Sequence, residues 1–373
     1  MSKKIGVLTS GGDSPGINAA LRGLGKAAHN VFNSQIVGFQ DGFSGMARDL
    51  YVSLEGPAFS GILTQGSTIL GTNRDRPNHM MINGHFEDGT DAIISVYKKH
   101  NLDVLVVIGG NQSQTSAFYL QGKGLNLITI PSTIDNDIPY TDSTIGFATA
   151  VEVAAEAIDR LHSTAFSHHR IIIVETMGKE TGWLTLGAGI AGGADIILIP
   201  EIPYEIEKVT NAVMERANSG KRFSLIAVSE GATSGESVRF FEQAREANER
   251  LREGRDEEEV AQRLLEIKKR SIGDTKHLAN LLTQTTNLET QVTILGNLQR
   301  GGTPLASDRV LATQLGTACA GMIDSGKYGV MVAPQSGSVV PIPLQDVADK
   351  TRTVPLDHAW IYGARMIGVS LGD

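Results

Sequence analysis

Short, mostly apolar runs alternate with longer segments of mixed polarity along most of the chain. The runs at residues 5–9, 104–108, 127–130, 171–174, 196–199, 225–228 and 292–295 are rich in Ile, Val and Leu. Runs of this length and composition predict strands buried on both faces. Their separation by helical patterns predicts parallel sheets covered by helices, an α/β fold. One helix is expected from Ile17 to about Ala28, and another follows the polar residues 109–113 through about Leu120. From Val238 to about Arg270 the chain is heavily charged, with apolar residues at Phe241, Ala244, Ala247, Leu251, Val260, Leu264, Leu265 and Ile267. This spacing predicts one or two amphipathic helices broken near Gly254. The charge run 252–259 inside it reads as a solvated helix junction rather than a binding site.

Three of the predicted strands run straight into polar turns. After 127–130 comes Pro131-Ser132-Thr133-Ile134-Asp135-Asn136-Asp137. Acids at the carboxyl end of a strand sit where open α/β sheets bind ligands. They can hold a metal or take a proton from a hydroxyl. The same residues are also common in plain strand-ending turns. After 5–9 comes Ser10-Gly11-Gly12-Asp13-Ser14-Pro15-Gly16, then a helix. Gly11 and Gly12 would let backbone N–H groups approach a phosphate, and the helix start adds its positive end. The loop lacks the Gly-Lys-Ser/Thr of a P-loop and the Gly-x-Gly-x-x-Gly of a dinucleotide site. After 104–108, Gly109-Gly110-Asn111-Gln112-Ser113 repeats the design. Three such turns are far more specific than one.

Length and charge narrow the function. With 373 residues there is room for two domains. No apolar run approaches the roughly 18 residues of a membrane span. The first residues lack the pattern of a secretory signal. The net charge of −8 argues against broad nucleic-acid binding, but a few placed arginines can still make a pocket for an anionic small substrate. The one cysteine, Cys319, excludes an internal disulfide and sits in a helical pattern that suggests packing. A cytoplasmic location is expected.

These turns, with Gly71-Thr72-Asn73-Arg74, Ser167-His168-His169-Arg170, Met177-Gly178-Lys179-Glu180-Thr181-Gly182 and Gln299-Arg300-Gly301-Gly302-Thr303-Pro304, resemble the phosphofructokinase family of the Gly-Gly-Asp type. The motifs keep the family's order from residue 4 to about 330. Residues 157–162 look closest to the subgroup with many pyrophosphate-dependent members. The resemblance implies two Rossmann-like three-layer α/β domains with mainly parallel sheets and an active site in the cleft between them. A larger phosphoryl-donor domain would comprise 1–146 plus 299–350, and a sugar-binding domain 147–298 plus 351–373. It implies transfer of a phosphoryl group from ATP or pyrophosphate, with Mg2+, to the C1 hydroxyl of fructose 6-phosphate or a related C6-anionic ketose. Asp135 would be the general base, with Asp137 an orienting or magnesium-linked carboxylate. Thr133, Gly12 and Arg74 would hold the transferring phosphoryl group. Gly11, Gly110, Asn111, Gln112 and Ser113 would complete the donor site, with Asn111 and Asp137 the metal positions. Met177, Gly178, Lys179, Glu230, Gln291, Asn297, Arg170 and Arg300 match positions that face the sugar phosphate. Glu230 also reads as a turn acid after a strand. The family arginine matched by Arg170 reaches a neighbouring subunit, which implies a homodimer or homotetramer.

Several positions depart from the family pattern. Asn111 has lost the charge of an aspartate, which weakens a direct metal ligand. Gln112 is bulky where ATP users have Gly, and Ser132 stands where pyrophosphate users carry Lys. The small residue at 132 favours ATP. Gln291, Asn297 and Lys179 replace an arginine, a histidine and another arginine. Each lost charge-assisted hydrogen bond is worth roughly 1.5–3 kcal/mol. The pattern therefore leaves open an acceptor with a different C6 group. The same transfer from pyrophosphate is one alternative, and a catalytically silent regulatory paralogue that binds sugar phosphate is another. The retention of Asp135, Asp137, Arg74 and Thr133 argues against the latter. The effector-site positions keep Arg22, Lys26 and Lys221 but show His162 and Ser219 where regulated members are basic, so the pattern does not predict regulation by a nucleotide or phosphoenolpyruvate.

Overall fold

The computed structural model describes residues 2–82, 84–239, 242 and 275–373. Apart from residues 238, 239 and 242, the amphipathic stretch expected over 238–270 lies outside the described residues. The chain divides into two units, Met1–Ala150 with Arg300–Arg352, and Val151–Gln299 with Thr353–Asp373.

In chain order the strands are β1 (Lys4–Ser10), β2 (Gln35–Phe39), β3 (Tyr51–Ser53), β4 (Met80–Ile82), β5 (His85–Glu87), β6 (Val104–Gly109) and β7 (Leu127–Pro131). They continue with β8 (Ile171–Thr176), β9 (Ile196–Leu198), β10 (Ser224–Ser229), β11 (Thr290–Ile294), β12 (Val330–Gln335) and β13 (Ser338–Pro343).

The first unit is built on a seven-stranded sheet of order β13-β12-β7-β6-β1-β2-β3. Its strands pair in parallel except for the two edges, where β13 runs against β12 and β3 against β2. All of β6 and β7 is buried. Isoleucines and valines pack on either face into two separate apolar clusters, one around Val7, Val106 and Ile130 and the other around Leu8, Val107 and Leu127. A strand inserted between two helical layers needs apolar residues on both faces, which is why these runs do not alternate. The direction of strand succession reverses between β1 and β6, the topological switch point of an open sheet. In register, Ser10 pairs with Gly109 and Gly109 with Pro131, so three strands end in one row at the same edge.

The second unit has a parallel four-stranded sheet of order β11-β8-β10-β9. One face carries a cluster that includes Ile173, Ile226, Leu198 and Leu282. Thr176 of β8 pairs with Ser229 of β10, so the turns after these strands are also neighbours. Cys319 is fully buried inside helix Ala306–Asp324, and burial pushes its thiol far above the usual range. Among the described residues no helix is long and apolar enough to cross a membrane.

Helix Phe147–His168 starts beside a buried carboxylate. Asp308, 1% exposed, accepts from the backbone N–H of Gly146 (3.0 Å) and Thr149 (2.8 Å) and from the Thr149 hydroxyl (2.5 Å). Burial raises its pKa while these donors oppose the rise. Its oxygens satisfy N–H groups that a helix start leaves without partners. Replacing Asp308 with Ala strands two buried backbone N–H donors and removes the acceptor of the Thr149 hydroxyl, and the expected loss of unfolding free energy is about 2–4 kcal/mol. Denaturant titration of the first unit's transition checks this; an unchanged midpoint contradicts it.

Candidate active site

The row Ser10–Gly109–Pro131 brings the three polar turns of the first unit together. A side chain at Gly109 would place its Cβ 2.3 Å from the Ser10 carbonyl oxygen, so only glycine lets β6 end against β1. Ser113 spans the same gap, its hydroxyl donating to Ser10 O at 2.9 Å. A Cβ built on Gly110 would lie 3.5 Å from Thr133 Cβ, so the turn after β6 touches the turn after β7. The segment carrying Arg74 joins from the other side. Gly11 N donates to Asn73 O at 2.7 Å, and the Thr72 hydroxyl returns a bond to Gly11 O at 3.0 Å. Arg74 itself is exposed.

Asn111, Gln112 and Ser113 are not loop residues, as their polarity suggested. Helix Asn111–Gly122 begins at Asn111. Their backbone N–H groups thus belong to the first turn of a helix, a setting suited to phosphate. The Asn111 side chain turns toward the return segment, its amide donating to Lys350 O at 2.9 Å and Thr351 Oγ1 at 3.2 Å. Only its Oδ1 is left for a cation.

The turn after β7 is held by its own hydroxyls. Asp135 N donates to Thr133 Oγ1 at 3.1 Å, and the Thr144 hydroxyl donates to Thr133 O at 2.7 Å. Asn136 takes a left-handed conformation (φ 52°) and its Oδ1 accepts from Thr144 N at 3.1 Å. These bonds set Asp135 and Asp137, both half-buried, on either side of a fixed residue. The Asp137 carbonyl accepts from Arg352 N at 2.7 Å. Ser132 is sealed against Ser14, hydroxyl to hydroxyl at 2.7 Å, so position 132 supplies no cation. Sequence reasoning gave Ser14 no role, and only the pairing across 118 residues reveals one.

Arg300, assigned from its motif to the acceptor's phosphate, packs against the first glycine turn. Its Nη1 donates to Asp13 O at 3.0 Å. Among the described residues no cluster of three or more His, Cys, Asp or Glu could cage a metal. A hard cation such as magnesium needs only one or two protein oxygens when phosphates supply the rest. The Asp137 carboxylate and Asn111 Oδ1 are oxygens of that type.

In the second unit, Met177 and Gly178 follow β8 and Glu230 follows β10. Gly178 N donates to Glu230 Oε1 at 3.3 Å, and Met177 N to Gln299 Oε1, also at 3.3 Å. Gln299 is fully buried, an anchor that sequence reading left unassigned. Glu230 thus combines the turn-bracing role with any role toward a ligand. Arg170 Nε lies 2.8 Å from Glu289 Oε2, and Gln291 Nε2 donates to Glu289 Oε1 at 3.2 Å. Glu289 therefore gathers two of the expected phosphate contacts, which nothing local in the sequence signals. Lys179 and Asn297 are exposed.

The sequence model described as Phosphofructokinase matches residues 4–323. The chain is 48% identical to an ATP-dependent 6-phosphofructokinase of Propionibacterium freudenreichii subsp. shermanii, over 100% of both chains. It is 45% identical to an ATP-dependent 6-phosphofructokinase of Spirochaeta thermophila, over 100% of this chain and 98% of that one. Among solved structures it is similar to Pichia pastoris phosphofructokinase in the T-state, with TM-score 0.76 and 28% identity. That match covers 93% of this chain, which spans 35% of the yeast protein.

Gly109→Ala tests the convergence of the turns. A methyl there meets backbone that cannot swing aside, and a displacement of about 1 Å at a reacting centre can cost on the order of 10² in rate. We expect kcat/KM to fall about that far in a folded protein, while Gly122→Ala, with open space around it, leaves kinetics unchanged. Equal behaviour of the two variants contradicts the assignment.

Proposed function

The chain belongs to the phosphofructokinase family, and from that premise we propose that it moves the terminal phosphoryl group of ATP to the C1 hydroxyl of fructose 6-phosphate. The observation that carries this reading is the single row of turns at the ends of β1, β6 and β7, which gathers Gly12, Ser113, Thr133 and Asp135 at one sheet edge. Phosphoryl transfer asks the protein mainly for positioning and charge stabilisation, and fixed backbone donors supply both. Asp135 orients the C1 hydroxyl and takes its proton as the oxygen attacks. The Thr133 hydroxyl and Gly12 N–H donate to the transferring phosphoryl group, and Arg74 balances its charge. Gly11, Gly110, Gln112 and Ser113 line the donor phosphates. Asp137 and Asn111 would hold Mg2+, which when bound offsets the charge of the donor's phosphates.

The second unit supplies sugar recognition through Met177, Gly178, Lys179 and Glu230, with Arg170, Gln291 and Asn297 at the phosphate end. The larger first unit is the donor domain. ATP rather than pyrophosphate fits a buried hydroxyl pair at Ser14 and Ser132, which offers no cation for a small, highly charged donor. A homodimer or homotetramer in the cytoplasm, acting on small molecules alone, completes the reading.

Purified protein with Mg2+ and fructose 6-phosphate should turn over with ATP and not with pyrophosphate. Asp135→Asn should lower kcat by at least ~10² while leaving sugar binding largely intact. Activity with pyrophosphate alone would reassign the donor, and a near-normal rate for Asp135→Asn would remove the assigned base.

A further inference from the structure

Both residues at the proposed metal positions are held by one short segment of the first unit, Asp349-Lys350-Thr351-Arg352. It follows the short helix Leu344–Val347, whose Leu344 and Val347 are buried in the same apolar cluster as Ala117 and Leu120 of helix Asn111–Gly122. From this anchor the chain turns at Asp349, in a left-handed conformation (φ 59°). Asp349 N donates to Thr115 Oγ1 at 3.0 Å. Lys350 O and Thr351 Oγ1 both accept from the Asn111 amide, at 2.9 and 3.2 Å. Arg352 N then donates to Asp137 O at 2.7 Å. Two residues of extended chain span about 7 Å, so the helix start and the turn carrying Asp135 and Asp137 are tied to closely neighbouring points. The same bonds dictate the residue type at 111. A carbonyl oxygen only accepts, so the group facing Lys350 O must donate. The two hydrogens of an amide match the two acceptors and leave Oδ1 apart from them. A carboxylate there would set oxygen against oxygen.

We propose that Asp349–Arg352 is a strap that positions the start of the donor-phosphate helix against the catalytic turn, with Asn111 and Thr115 as the positioning residues that latch it. The inference rests on the kinase reading above and adds to it. Sheet register fixes where β6 and β7 end, but the first turn of the helix and the turn through Asp137 lie beyond the ladder. They need a tie of their own if backbone donors are to stay aligned with a phosphate. The strap supplies it, gripping the helix through two side chains four residues apart on one face and the turn through its backbone. Position 111 therefore carries an amide because the strap needs a donor there. The lost charge at this position has a local structural cause.

Two measurements on the full chain test the strap. Steady-state kinetics with Mg2+, ATP and fructose 6-phosphate give the KM for each substrate. Amide hydrogen exchange on the ligand-free protein follows the Arg352 N–H and needs no activity. Asn111→Asp restores a carboxylate at a metal position, so a residue serving the metal alone would lower the KM for ATP or leave it unchanged. The strap predicts the reverse: the KM for ATP rises about tenfold, the KM for fructose 6-phosphate stays within about twofold, and exchange at Arg352 quickens about tenfold. Thr115→Val leaves both metal positions intact, yet should raise the KM for ATP about threefold and quicken the same exchange. It carries the test if Asn111→Asp does not fold. A tie that is merely structural would lower the melting temperature and leave both KM values alone. That result overturns the proposal, as does unchanged exchange at Arg352 in these variants or a lower KM for ATP in Asn111→Asp. A failure of the kinase reading would appear as no turnover in the unmodified protein, and exchange at Arg352 would still decide for or against the strap.

Discussion

The contact between the carboxyl ends of β1 and β6 is the constraint on which the rest of the first unit depends. Parallel strands pair in a fixed register, and here the register ends Ser10, Gly109 and Pro131 in one row. The row can close only because Gly109 has no side chain to meet the Ser10 carbonyl. Everything chemical hangs from it. The Ser113 hydroxyl ties the helix start to β1, Gly110 rests on Thr133, and Asn73 reaches Gly11 through a backbone bond. Turns held at so many backbone points lose little entropy when a phosphate arrives, so the donors need not reorganise during transfer.

The charge arrangement follows the same economy. A chain of net charge −8 must concentrate positive charge where it binds a dianion. It does so in two ways. Arg170 rests beside an exposed carboxylate, Glu289, whose other oxygen accepts from Gln291 Nε2. Arg300 is buried, forms no ion pair among the described residues and leans on a carbonyl oxygen of the donor loop. The first is a solvated, weak pairing of the kind that exchanges readily. The second is held in place before any ligand arrives.

How much of this could be read from the sequence depends on how local each feature is. Buried parallel strands announce themselves as uninterrupted apolar runs, and β1, β6, β7, β8 and β10 lie where those runs predict, extended by one or two residues into the polar turns. The strands flanking the core of the first sheet stood out less. The edge strand β13 carries Pro341 and Pro343, tolerable where one side of the ladder goes unpaired, and β2, inside the sheet beside the edge strand β3, is interrupted by Gly38. Polarity made Asn111–Ser113 look like loop, although polar residues also suit the solvated first turn of a helix. The motif residues of the site were legible, but their partners were not. Ser14 with Ser132 and Arg300 with Asp13 are separated by 118 and 287 residues, and no periodicity or propensity encodes pairings at that distance.

A crystal structure with a non-hydrolysable ATP analogue and fructose 6-phosphate bound together tests the central claim most directly. The account predicts the terminal phosphorus beside Gly12 N and Thr133 Oγ1, with an Asp135 carboxylate oxygen within about 3 Å of the C1 hydroxyl. A terminal phosphate held away from these turns, or Asp135 directed away from the sugar, would contradict it.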